Sequence, residues 1–324
     1  MSGSFSLEER IHYLKEFGRH TLAYSTLQPG LRYFDVPRVG YLGYQSYGGR
    51  DFVLSSPVCA DNNRETLLGE FIRTREHPCF VQIYQREADL LRDVFHQYVV
   101  QMGVEVWLHG QTWTVHGGKK THVRRWINTA RNANVTVRPL DTGALRNDIQ
   151  RVSDEWRDSK RNDANLRFLV RDFSPDPAVQ TLTRPYGAFQ NGRLIGVVDF
   201  SPMFRAQRAT GYYADIVRTI PRAPNGTSDL IIVTAFQEFI REDATSLSLG
   251  LAPFAKLGPC ANEPPFLRKL LSLLYVTGNR LYPFKGNYFH KEKYRGEVMP
   301  VFYTTKNRNA VAELLKVFRL VGIF

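Results

Sequence analysis

Tyr213, Asp215, Arg218, Asn225 and Asp229 crowd into one short stretch, Gly211 to Asp229, and these are residue types that bind and polarise substrates. Alternation through Tyr213, Asp215 and Val217 predicts a strand, and Pro221, Pro224, Asn225 and Gly226 predict a loop. The apolar run Leu230-Ile231-Ile232-Val233 then opens a helix, which Thr227 or Ser228 is suited to cap and whose dipole Asp229 complements. A strand end that delivers a carboxylate and a guanidinium beside a helix N-terminus is a common way to build a polar site. A capped helix after an ordinary loop accounts for the same residues equally well.

Other chemistries find little support. No Ser-His-Asp order, Cys-His pair, Walker loop or dinucleotide fingerprint is present. His109, His116 and His122 have no metal-ligand spacing, so no metal site is expected. Arg193-Leu194-Ile195-Gly196-Val197-Val198 lacks the second small residue of the loop that holds the pyrophosphate of coenzyme A, so a transferase built on this chain would use another donor and no cofactor. Cys59, Cys79 and Cys260, odd in number, point to a reducing cytoplasm.

The elements that must position these residues follow an α/β order. Apolar periodicity predicts helices over 7–20, 64–76 and 87–102, with strands over 24–47, 51–55, 79–84, 104–108 and 111–115 between and after them. Residues 119–133 predict a helix with Val123, Trp126, Ile127 and Ala130 on its buried face. Its cations, Lys119, Lys120, Arg124, Arg125 and Arg131, have no Asp or Glu within 119–131 to pair with. That suits a phosphate backbone better than a solvated helix face. The pattern then restarts: strand 135–140, helix 142–158, strand 166–171, and a hairpin of 186–190 with 193–200 across Asn191-Gly192. A helix over 230–243, a strand over 246–249 and a helix over 266–276 complete it. Two domains are expected, 1–134 and 135–324, each a mixed central sheet flanked by helices.

The chain of 324 residues carries a formal net charge of +12, which asks for a polyanionic partner such as nucleic acid or an anionic membrane. The first residues contain no apolar signal core. No apolar run reaches the roughly 20 residues that span a bilayer.

Four ordered motifs carry a resemblance. Tyr213-Ala214-Asp215-Ile216-Val217-Arg218, Ala223-Pro224-Asn225-Gly226-Thr227-Ser228-Asp229, Leu249-Gly250-Leu251-Ala252-Pro253 and Leu281-Tyr282-Pro283-Phe284-Lys285-Gly286, the last followed by Lys291-Glu292-Lys293-Tyr294, resemble the catalytic domain of phosphatidylglycerol lysyltransferases, the multiple-peptide-resistance family. Gln28-Pro29-Gly30, Gly48-Gly49 and the basic helix extend the likeness more loosely into the first half. The resemblance implies two tandem acetyltransferase-like domains that move an amino acid from aminoacyl-tRNA to a hydroxyl or amine acceptor. That acceptor is a polar lipid such as phosphatidylglycerol, a sterol, or a small hydroxylamine-type metabolite. It places Asp215 on the α-ammonium or the acceptor proton, Arg218 and Lys285 on phosphates or the developing oxyanion, and Tyr213, Asn225, Asp229, Gly250 and Pro253 around the substrate. Lys291 and Lys293 would join the basic helix in binding tRNA. The family's membrane-spanning half is missing from the sequence, and Asn287-Tyr288-Phe289-His290 stands where that family tends to carry another basic residue, so a lipid acceptor is less firmly implied than a tRNA donor.

Two further readings compete. A non-catalytic RNA-binding module needs only the charge and the basic helix. A peripheral protein of anionic membranes would use 266–271 and 314–320, which mix apolar residues with cations. Core or docking helices explain those two stretches as well.

Overall fold

Alternating polar and apolar residues build one large mixed sheet in the computed structural model, which describes residues 4–159, 168–263, 265–308 and 310–321. Helix α1 (Leu7–Phe17) is opened by a capping box. Ser6 Oγ accepts from the Glu9 N–H at 3.1 Å, and Glu9 Oε2 accepts from the Ser6 N–H at 2.6 Å. Strands β1 (Arg32–Val36), β2 (Gly40–Tyr47), β3 (Arg50–Leu54) and the short β4 (Val58–Cys59) follow, then α2 (Arg64–Thr74), β5 (Pro78–Ile83), α3 (Gln85–Asp93) and β6 (Tyr98–His109). The basic helix α4 (Thr121–Asn132) leads to β7 (Thr136–Pro139), α5 (Arg146–Asp158), the one-turn α6 (Pro177–Gln180), β8 (Arg184–Gln190), β9 (Arg193–Arg205) and β10 (Arg208–Thr219). Helix α7 (Thr227–Arg241), β11 (Ser246–Pro253), α8 (Pro265–Thr277), α9 (Phe284–Glu292), β12 (Glu297–Thr305) and α10 (Ala310–Leu320) complete the order.

The sheet runs β1-β2-β3-β5-β12-β6-β11-β10-β9-β8-β7, with β4 beside β2. The link between α4 and β7, where the two domains were expected to meet, does not interrupt it: β6 pairs with β11. Strand β12, from the far end of the chain, lies between β5 and β6 and is antiparallel to both. Helix α7 fills one face, where Phe239 stacks on Tyr212 at 4.0 Å between ring centroids and meets Phe200 and Tyr186 edge-on. A second core gathers Phe254, Leu267, Leu271, Phe284, Val317 and Phe318 under α8, α9 and α10. No helix among the described residues is long and apolar enough to cross a membrane.

Several expected elements change. The helix expected over 87–102 stops at Asp93, and His96, at φ 53°, turns the chain into β6. Residues 111–115 form no strand. The strand expected over 166–171 is not found at 168–171, and the rest of it lies outside the described residues. Gly226, rather than Thr227 or Ser228, occupies the N-cap of α7. At φ 86° it is left-handed, and a Cβ there would collide with the Trp126 carbonyl of α4. The tip of the loop is therefore pressed against the basic helix.

Candidate active site

Strands β10 and β11 pair in parallel only where Gly211–Tyr213 face Ser246–Ser248, and beyond that point they part. Each carries a bulge at the fork. In β10, Ala214 faces Phe200 and Ile216 faces Asp199, so Asp215 is the extra residue. In β11, Ser248 faces Trp107 and Leu251 faces Glu105, so Leu249 and Gly250 oppose Val106 alone. Bulges bend a strand and re-aim its side chains, and a cavity of about 1250 Å³ opens where these two strands separate. Gly250 sits at φ 77° against the Tyr213 ring, where a Cβ would come within 2.5 Å of Cε2. No larger residue fits there without displacing Tyr213.

Asp215 is held in a fully buried cluster. Arg171 Nε donates to Asp215 Oδ2 at 2.7 Å and its Nη2 donates to Asp199 Oδ2 at 2.8 Å, with all three side chains at most 2% exposed. Ser201 Oγ donates to Asp215 Oδ2 at 2.7 Å, and the Tyr24 ring lies 4.6 Å beneath the guanidinium. Burial pushes the Asp215 carboxyl upward, while Arg171 and Ser201 pull it back toward the ionised form. Burial works against the charge of Arg171 too, but Asp199 and Asp215 outweigh it and keep the guanidinium protonated. The other oxygen of each aspartate, Oδ1, is buried without a hydrogen-bond partner. Asp215 borders the cavity, and its unpaired Oδ1 is an acceptor that no donor of the chain satisfies.

Arg218 does not pair with Asp215, whose buried cation is Arg171 instead. Its Nη1 donates to Ser153 Oγ at 2.9 Å and Asp172 Oδ1 at 3.0 Å, with Trp156 and Phe173 beside the guanidinium. Lys291, expected on tRNA, instead lines the cavity and donates from Nζ to the Leu251 carbonyl at 2.5 Å. Burial brings its ammonium down to about 7, against the opposing pull of Glu105. Glu105 is itself buried. It accepts from Gln82 at 2.8 Å, Thr21 at 3.0 Å, and Tyr84 and Trp107 at 3.1 Å, and burial raises its carboxyl despite those donors.

Of the residues singled out in the sequence, Tyr213, Asp215, Arg218, Pro253 and Lys291 border the cavity, and Gly250 backs it. Asp229 does not: it binds Lys293 Nζ at 2.7 Å and the Tyr294 hydroxyl at 2.5 Å, which occupies Lys293 as well. Asn225 is exposed, and Lys285, in the first turn of α9, is not among the cavity residues. Lys119, Arg125 and Arg131 are exposed. Lys120 Nζ donates to the Thr114 carbonyl at 2.7 Å, and Arg124 Nη1 donates to the carbonyls of Val115 and Gly117, so these two tie down the loop before α4.

Sequence reasoning missed Arg171, Asp199, Ser201 and Glu105. Asp199 in Val197-Val198-Asp199-Phe200 and Glu105 in Val104-Glu105-Val106 were detectable as lone carboxylates inside apolar strands. Nothing in the sequence marked Arg171 as the partner of Asp199 and Asp215. Replacing it should expose that dependence: Arg171→Met leaves two buried carboxylates without a cation, at a cost of about 3–5 kcal/mol. Burial already raises the Asp215 carboxyl and removing Arg171 raises it further, so the loss of stability should be largest at neutral pH and shrink as the pH falls through that raised value. Urea unfolding at pH 5 and pH 7.5 checks this. Equal losses at both would place the defect elsewhere.

Comparison with known proteins matches most of the chain. The family described as phosphatidylglycerol lysyltransferase, C-terminal, matches residues 11–305. The phosphatidylglycerol lysyltransferase of Bacillus subtilis is 24% identical over 319 residues, covering 96% of this chain but 36% of its own length. The lysylphosphatidylglycerol biosynthesis bifunctional protein LysX of Gordonia bronchialis is 24% identical over 212 residues, 63% of this chain and 18% of its own. Among solved structures, L-PGS from Bacillus licheniformis superposes with a TM-score of 0.79 at 22% identity, covering 98% of this chain and 97% of that one. FemX superposes with a TM-score of 0.54 at 8% identity, covering 97% and 99%, a likeness of fold. With a match over most of its length, the chain belongs to the family of phosphatidylglycerol lysyltransferase C-terminal regions.

Proposed function

We propose that the protein transfers an aminoacyl group from aminoacyl-tRNA to a hydroxyl of phosphatidylglycerol, in the cavity between β10 and β11. One observation carries this reading. The same cavity offers a charged region at Asp215, Arg218 and Lys291 and an apolar region at Phe254, Leu314, Val317 and Phe318, which matches a polar headgroup on acyl chains. A sterol or a small hydroxylamine would leave one of the two regions without a counterpart.

An aminoacyl ester is already activated, so the protein has to orient two substrates and move one proton. Asp215, clamped through Oδ2, takes the α-ammonium on Oδ1. Lys291 as the free amine accepts the proton of the acceptor hydroxyl while that oxygen attacks the ester carbonyl. The tetrahedral intermediate then expels the ribose oxygen, which recovers the proton from Lys291. Arg218 stabilises the oxyanion or an adjacent phosphate. Lys285 stands on the helix that closes the cavity and is assigned to phosphate contacts outside it. The exposed cations of α4, Lys119, Arg125 and Arg131, take the tRNA backbone.

Incubation with charged tRNA and phosphatidylglycerol vesicles should give aminoacylated lipid, and vesicles without phosphatidylglycerol should give none. Label that stays on tRNA in both would overturn the reading. The single-turnover rate should rise with pH through about 7 as Lys291 loses its proton, once ester hydrolysis is subtracted. Lys291→Arg should remove that rise along with most of the rate. A profile unchanged in Lys291→Arg would take the amine out of the proton transfer.

Neutralising Lys119, Arg125 and Arg131 together should lower the slope of log affinity for tRNA against log salt by about 0.7–0.9 for every phosphate that these cations neutralise in the wild type. Neutralising Lys120 and Arg124 should loosen the loop before α4 and lower the melting temperature instead. An unchanged slope in the first variant would make α4 a solvated face.

A further inference from the structure

Helix α8 is apolar on two sides. Leu267 and Leu271 point into the core, yet Phe266, Leu273 and Val276 stand 54–57% exposed on the outside. These three recur at helical spacing with the exposed Lys269, and the stripe ends at Arg280 just beyond the helix. On the neighbouring α9, Phe289 is 62% exposed, and on α10 Leu315 is 48% exposed beside Arg319. Five of the eight large apolar side chains exposed among the described residues therefore lie on three helices. The same helices close the cavity: the turn from Asn279 to Pro283, Asn287 and Lys291 line it from α8–α9, and Leu314 and Phe318 line it from α10. Apolar side chains exposed beside cations, on the helices that close the cavity, suit the interface of an anionic bilayer.

We infer that the outer face of α8, α9 and α10 docks on an anionic phospholipid surface and sets the apolar end of the cavity against the monolayer. Phe266, Leu273, Val276 and Phe289 enter the acyl boundary, while Lys269 and Arg319 meet lipid phosphates. The inference rests on a lipid acceptor. It adds that the chain carries its own membrane contact, on the elements that admit the lipid.

Flotation with vesicles of phosphatidylglycerol in phosphatidylcholine, without tRNA, measures docking apart from catalysis. The protein should bind these vesicles and bind pure phosphatidylcholine far less. A variant with Phe266, Leu273, Val276 and Phe289 all changed to serine should lose about tenfold or more of the affinity, and Lys269→Ala about fivefold. Because these side chains are exposed and outside the cavity, the serine variant should keep its melting temperature and its rate on a monomeric short-chain phosphatidylglycerol, losing rate only on vesicles. Wild-type protein that ignores anionic vesicles would overturn the inference, as would a serine variant that floats like wild type. Conversion of a dimer to a monomer by the serine changes, with vesicle binding intact, would assign the face to self-association and overturn it too. Stripe-dependent flotation without any aminoacyl transfer would support the docking face and remove the transferase reading instead.

Discussion

A carboxylate must stay ionised in a dry place if it is to hold an ammonium, and the fork between β10 and β11 depends on Arg171 to meet that requirement. The bulge at Asp215 turns its side chain out of the alternation that would have paired it across to β9, and the guanidinium of Arg171 then binds it together with Asp199. Two buried acids share this one buried base, and Oδ1 of each is left without a donor. The cluster also ties distant parts of the chain together, since Tyr24 stacks beneath Arg171 and Ser201 bridges to Asp215 from β9.

Around this centre the cavity is graded from charged to apolar. Glu105, buried, and Lys291, half-buried at the cavity, provide a second acid and base, but here the balance differs. Glu105 is satisfied by side chains from several elements, and Lys291 is left with one carbonyl and a lowered affinity for its proton. Burial raises the Asp215 carboxyl and Arg171 offsets part of that rise, whereas burial, against the pull of Glu105, leaves the Lys291 ammonium at about 7. One site thus combines a carboxylate clamped to a guanidinium with an amine that titrates near neutral pH, a combination suited to ester aminolysis or transesterification.

Local pattern was enough for much of the fold and little of the clamp. The Asn191-Gly192 hairpin, the capped first helix, the basic helix and the strand-loop-helix around Asp215 all rest on short-range spacing, and each appears in the structure. The first part of β6, up to Met102, was misread because the strand lies in the middle of the sheet with both faces covered, while 104–108 was read as strand. Its apolar run from Val99 carries no period of two, so it continued the helical pattern of α3. The cations of 119–131 had no acidic partners because Lys120 and Arg124 bind backbone carbonyls, which leave no trace in composition. Lys291 and Lys293 read as tRNA-binding cations, yet both point inward, to Leu251 and Asp229. Arg171 lies far along the chain from Asp215, and only the closed sheet brings the two together.

The central claim, that Asp215 holds the α-ammonium of the donor, is tested most directly by an isosteric donor without that charge. Single-turnover transfer from aminoacyl-tRNA and from its α-hydroxy analogue should be measured for wild type and Asp215→Asn at matched folded fractions. Wild type should prefer the amine by about 10–100-fold, the range for a charged hydrogen bond, and Asp215→Asn should be slow with both donors and nearly indifferent between them. An Asp215→Asn protein that keeps the full wild-type preference for the amine would contradict the claim.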